Sequence, residues 1–186
     1  MSSSQKIETQ IVSTPSRPLP PKTFYFLVLA IFAADQFTKN WITRTMLLGE
    51  SREVLGDGFR FTLAHNTGGP WSLLRSGGNA VFATFAIVAI GAILVTYHRQ
   101  KNMTLIMAAA FALALGGAIG NLLDRLRFGY VVDFFDAKII HWPVFNVADS
   151  AISIAMCLLI FYFLRSAKEE GANVTPPSQA EQKPQE

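Results

Sequence analysis

The sequence predicts an all-α membrane protein: a four-transmembrane-helix bundle with a small extramembrane β-structure in its first loop. Three observations carry that expectation. Of 186 residues, 51% are hydrophobic and only 16% charged, where a soluble domain carries about a quarter charged residues. Several apolar runs approach the roughly 20 helical residues that a bilayer crossing needs. Between the first two runs, the turn signal Gly56-Asp57-Gly58 leads into alternation over Phe59-Arg60-Phe61-Thr62-Leu63-Ala64, the period of a half-buried strand.

The second and third spans are expected over about residues 80–97 and 103–123, and the fourth over about 151–164. The fourth is long enough only if it starts near Phe145 or Asn146, which puts Asp149 in its first turn. The first span begins at Phe24 and must continue through Asp35-Gln36-Phe37-Thr38-Lys39 to about Ile42. Asp35 and Lys39 are four apart, on one helical face and in the favourable acid-before-base order; they read as a bundle-facing pair near the far interface. Counting crossings puts both termini on one side and the loops over 43–79 and 124–144 together on the other. Cations flank the spans on both sides, so charge asymmetry does not fix the orientation. Residues 1–22 and 169–186 are polar and are expected to be disordered tails around one domain over 23–168. No cleaved signal peptide is expected, because the first apolar run starts only behind that polar leader. Gly116 and Gly120 form a GxxxG, which points to close helix packing.

The net charge of +3 comes without any basic run of five residues, so flanking cations explain it and no nucleic acid is expected. Cys157, the single cysteine, lies in an apolar run and reads as a small buried residue. His65, His98 and His141 lack metal-ligand spacing, and serine-hydrolase, P-loop and dinucleotide signatures are missing from the sequence. No metal or cofactor is expected.

Polar residues gather at four places: Asp35 with Lys39; His65-Asn66-Thr67-Gly68; Asn121 with Asp124 and Arg125; and the stretch from Asp133 to Asp149. Carboxylates near a membrane core are costly, and those found there are usually functional or paired. Asp133 stands among Tyr130, Val131, Val132, Phe134 and Phe135, where an unpartnered charge would be expensive. Asp149 has a second reading as a helix N-cap. Asp124 and Arg125 read equally as an ion pair closing the third span, and Asp136 as a solvated neighbour. Two carboxylates that share one proton can activate water and protonate a leaving group. With no nucleophile or metal in evidence, activated water is the natural attacking species.

Taken in order, Asp35-Gln36-Phe37-Thr38-Lys39, Asn66-Thr67-Gly68, Gly120-Asn121-Leu122-Leu123-Asp124-Arg125, Val131-Val132-Asp133-Phe134 and Phe145-Asn146-Val147-Ala148-Asp149-Ser150 resemble the motifs of bacterial lipoprotein signal peptidase, signal peptidase II. The resemblance runs from about Phe24 to Leu164, and five motifs in this order are far more specific than any one. It implies a four-helix aspartic endopeptidase of the bacterial inner membrane, with cytoplasmic termini and an active site at the periplasmic face. The implied substrates are diacylglyceryl prolipoproteins, cut before the lipidated cysteine; membrane lipid is the other partner, and a monomer is expected. The family's catalytic aspartates fall on Asp133 and Asp149. Asn66, Gly68, Asn121, Asp124, Arg125 and Asn146 fall on motif positions that line or brace the site, and Asp35 and Lys39 on a supporting pair. Two departures stand out. Gly69-Pro70-Trp71 follows the Asn66 motif where the family usually shows small residues and then Phe, and the separation of the two aspartates is short for the family.

Two other readings compete. A small proton- or solute-translocating membrane protein would use the carboxylates as a relay, but a relay spreads ionisable groups over several depths, and here they crowd one face. A scaffold subunit docking through the Gly116/Gly120 face leaves the aspartate pair unexplained.

Overall fold

The computed structural model describes residues 19–56, 58–68, 78–100 and 103–173. Four long helices dominate: α1 over Pro21–Thr45, α2 over Gly78–Arg99, α3 over Leu105–Phe128 and α4 over Val147–Asn173. The helices α2, α3 and α4 are each long and apolar enough to cross a membrane. Helix α1 matches them in length, but Asp35, Lys39 and their polar neighbours lower its apolarity. It begins at Pro21, at the N1 position that proline favours. Helix α4 runs on to Asn173, past the boundary expected at residue 168.

Helix α3 is central and packs against α1, α2 and α4. One of its stripes is built from small residues. A Cβ on Gly116 would meet the Val28 carbonyl at 2.8 Å, and one on Gly120 would overlap the Asp35 carboxylate. Gly117, on a neighbouring face, lies against the Ala148 backbone of α4. The close packing expected of the GxxxG therefore brings α1 against α3. Phe24, Val28, Ala112 and Leu115 form the core where α1 and α3 meet, with Ile90, Ile93 and Leu94 of α2 packed on it. Met103, Met107 and Ala108 pack against Leu159 and Tyr162 of α4. These pairings make α1 parallel to α3, with α2 and α4 antiparallel to both. The C-terminal ends of α1 and α3 and the N-terminal ends of α2 and α4 thus share one end of the bundle. Cys157 is exposed on α4, contrary to the expectation of burial. The face of α4 turned to its neighbours is the one carrying Ala148, Ala151 and Ala155.

At the shared end lies a three-stranded antiparallel sheet in the order β1-β2-β3, formed by Ser51–Leu55, Phe59–Asn66 and Val131–Asp136. The alternation over residues 59–64 does form a strand. The sheet is not confined to the first loop, however, because β3 comes from the stretch expected as a loop between the third and fourth spans. Helix α3 continues to Phe128, and Gly129 at φ 79° ends it in the left-handed region and turns the chain directly into β3. A core of Ile42, Met46, Leu63, Val132 and Phe134 ties the end of α1 to this sheet. The Gly69-Pro70-Trp71 departure lies outside the described residues.

Replacing Gly116 with alanine should lower stability by about 1–3 kcal/mol through overpacking. Thermal unfolding of the detergent-solubilised protein measures this, and an unshifted transition would mean that α1 and α3 do not touch there.

Candidate active site

Asp133 sits on β3 opposite Ala64 of β2, only 1% exposed. Its Oδ2 accepts from Asn66 Nδ2 at 2.9 Å and its Oδ1 from Asn146 Nδ2 at 2.7 Å. Burial, and then repulsion from Asp149, push its pKa up to about 7, against the pull of the two amide donors and Lys39. Asp149 lies in the first turn of α4 and is half-buried. Its Oδ1 accepts from Asn121 Nδ2 at 2.8 Å and its Oδ2 from the Asn146 N–H at 3.2 Å. In return the Asp149 N–H donates to Asn146 Oδ1 at 2.9 Å. This reciprocal pair is a capping box, so Asn146 caps the helix and Asp149 occupies the third position. The N-cap reading of Asp149 is corrected accordingly. Asn146 touches both aspartates, and the two carboxylates converge on it.

Behind them lies a buried charged cluster. Lys39 Nζ has three N–H donors and three acceptors: Asp35 Oδ2 at 2.8 Å, Asp124 Oδ2 at 2.9 Å and Asn121 Oδ1 at 2.9 Å. An ammonium can only donate, so it turns the Asn121 carbonyl toward itself and the amide NH2 toward Asp149. Asp35 Oδ1 accepts the Ala148 N–H at 3.0 Å, and Asp124 Oδ2 accepts the Val132 N–H at 3.1 Å. Each of these carboxylates therefore grips the backbone immediately before one aspartate of the pair. Gln36, quoted in the first motif but given no role there, bridges Asp35, Asp124 and the Gly120 carbonyl through Nε2. Only its place one residue after Asp35 hinted at this.

Asp124 thus takes Lys39 as its ion-pair partner, which corrects the expected pairing with Arg125. Adjacent helical residues point about 100° apart, so the two side chains diverge. Arg125 Nη1 donates to the Asn121 carbonyl at 3.3 Å, and its guanidinium lies 5.5 Å from the Phe82 ring centre. Its charge acts on Asp149, Asp133 and Asp124. Asp136 is also corrected: it is buried, bonded to Arg60 and Thr62 of β2, and those partners outweigh burial and hold its carboxyl below the ordinary value. Gly68, at φ 149°, donates its N–H to Asn66 Oδ1 at 3.1 Å and packs against Gly78 and Phe82 of α2. Asn79, absent from the expected set, donates to the Arg125 carbonyl at 3.2 Å.

Two cavities flank the pair. Asp133 borders one of about 270 Å³, lined by His65, Asn66, Thr67 and Pro143. Asp149 borders a more apolar one of about 450 Å³, lined by Ile140, Trp142, Phe145 and Ile154.

Fold and site together define a class: a helical membrane protein with two carboxylates, one on a strand and one at a helix start, converging at one end of its bundle. A family model described as signal peptidase (SPase) II matches residues 27–165. The lipoprotein signal peptidase of Moorella thermoacetica is 41% identical over 148 residues, covering 80% of this chain and 97% of that protein. The lipoprotein signal peptidase of Geobacter sulfurreducens is 39% identical over 153 residues, covering 80% and 96%. A bacterial membrane enzyme solved in meso at 2.3 Å superposes with a TM-score of 0.73 at 30% identity, covering 87% of this chain and 96% of that one. A second, solved at 1.9 Å, gives 0.73 at 32% identity, with 81% and 97% covered. The chain belongs to the signal peptidase II family and is a membrane protease. The translocator alternative finds no support among these relatives.

Lys39→Met should strand Asp35 and Asp124 as uncompensated buried charges and cost about 3–5 kcal/mol. Thermal unfolding checks this, with the change predicted to exceed that of the Gly116 variant.

Proposed function

We propose that this protein removes signal peptides from diacylglyceryl prolipoproteins, cleaving before the lipidated cysteine by an aspartyl mechanism in which Asp133 and Asp149 are catalytic. One observation carries the reading: two carboxylates from separate elements meet at Asn146, in a chain of the signal peptidase II family.

Asp149 is the base. It lies at the start of α4, where the helix dipole and the Asn121 and Asn146 donors favour negative charge. Asp133 carries the shared proton, in keeping with a pKa raised to about 7. Asp149 takes a proton from water as the water oxygen attacks the scissile carbonyl, while Asp133 hydrogen-bonds the carbonyl oxygen and protonates it. As the tetrahedral intermediate collapses, the C–N bond breaks and the proton held by Asp149 passes to the leaving amine. Asp133 recovers its own proton from the intermediate's hydroxyl. Arg125 adds positive charge beside the pair. Asn66, Asn121 and Asn146 orient the carboxylates, Gly68 shapes the loop beside them, and Asp35, Lys39 and Asp124 hold their backbones. The apolar cavity beside Asp149 suits the lipid-bearing side of the substrate, and the polar one beside Asp133 its peptide.

The peptidase domain is the single body built from α1 to α4 and the sheet, from Pro21 to Asn173. All four helices cross the bacterial inner membrane, α1 included, because its charged groups face α3 rather than lipid. The termini are cytoplasmic, and the sheet and aspartates lie at the periplasmic face. The enzyme works as a monomer surrounded by membrane lipid.

Asp133→Asn and Asp149→Asn should each abolish processing of a diacylglyceryl prolipoprotein, read as loss of the cleaved signal peptide on a gel, while the variants remain folded and inserted. Near-normal cleavage by either would refute the assignment. For the wild type, the rate should fall as pH rises through about 7, because Asp133 then loses the proton the reaction needs. The fall should approach about tenfold per pH unit, and a rate that holds level to pH 9 would remove Asp133 as the acid.

A further inference from the structure

A third cavity, of about 350 Å³, lies between α1, the end of α3 and the start of β3, bordered by the Lys39–Asp124 pair. Asn40 and Thr43 of α1, Arg127 of α3 and Tyr130 beside β3 also line it. Lys39, Gln36 and Thr43 spend their donors inside the protein, but two other lining residues do not. Arg127 makes no hydrogen bond or ion pair among the described residues, and neither does the Tyr130 hydroxyl. Arg44 does not line the cavity but sits at its rim, its Nε donating to the lining Asn40 Oδ1 at 3.0 Å, and it has no carboxylate partner among the described residues. Asp124, the cavity's carboxylate, is already matched by Lys39. The uncommitted charge around this space is therefore positive.

Its level in the membrane is set by the helices. Arg127 lies in the last turn of α3, a helix able to span a bilayer, so it stands where acyl chains give way to headgroups. Its chain neighbours Leu126 and Phe128 are exposed, as are Phe37 and Trp41 beside Asn40. Apolar side chains turned outward on both helices, around a polar cavity lined by Arg127 with Arg44 at its rim, suit a molecule with acyl chains and an anionic head.

The geometry points to a structural binding site for an anionic phospholipid, its phosphate held by Arg127 and Arg44 with Asn40 and Tyr130 donating. The site is separate from the paired aspartates, on the other side of the Lys39 cluster, and does not depend on which peptide bond the enzyme cuts. An occupied cavity keeps water from the Lys39–Asp124 pair.

Native mass spectrometry of the purified full chain, supplied with equal phosphatidylglycerol and phosphatidylcholine of matched acyl chains, tests this directly. Retention should favour phosphatidylglycerol by about fivefold for each arginine. The Arg44→Gln/Arg127→Gln variant should lose that preference, and Arg44→Lys/Arg127→Lys should keep most of it. Millimolar inorganic phosphate should not displace the lipid. Equal retention of both lipids by the wild type, or a preference unaltered in the glutamine variant, would overturn the site. Displacement by phosphate would assign the cavity to a free anion and overturn the lipid.

Discussion

A single ammonium group, Lys39 Nζ, holds two buried carboxylates and one amide, and the site depends on that arrangement. An isolated charge at this depth would be prohibitive, yet here each donor has an acceptor and each acceptor has a second task. Asp35 secures the start of α4, Asp124 secures the start of β3, and Asn121 presents its amide to Asp149. Three short bonds from one side chain thus fix both elements that carry the paired aspartates. Paired in this way, the groups offset a burial cost that each would impose alone.

Small residues make this possible. Gly120 has no Cβ where the Asp35 carboxylate lies, and Gly117 lets the first turn of α4 close on α3. Helix α3 can then receive α1 on one side and α4 on another with backbones nearly touching, and the polar side chains reach across. The sheet completes the enclosure. β3 runs from Gly129 straight across the end of the bundle, buried along most of its length, and β2 brings Asn66 to Asp133 from its other edge.

Much of this was legible in the residues, and the gaps have physical causes. The apolar runs of α2, α3 and α4 announce themselves by length, and the Asp35/Lys39 spacing announces one helical face. β3 was hidden because Val131-Val132-Asp133-Phe134-Phe135-Asp136 is buried on both faces and so lacks alternation. The partner of Asp124 was hidden because helical neighbours in sequence diverge in space, while Lys39 comes from a different helix. Asp136 looked solvated because its partners, Arg60 and Thr62, lie on a strand it meets only once the sheet forms. The capping box at Asn146 was nearly visible, since Asn and Asp stand three apart before an apolar run, but the motif is usually written with Ser and Glu.

The bond from Ala148 to Asp35 joins groups 113 positions apart. Asp149 and that anchor reside on the final helix, and the cap, Asn146, stands immediately before it. A partly made chain that lacks this helix holds Asp133 without the second carboxylate. The pair is therefore completed last, when the final helix closes on α1 and α3.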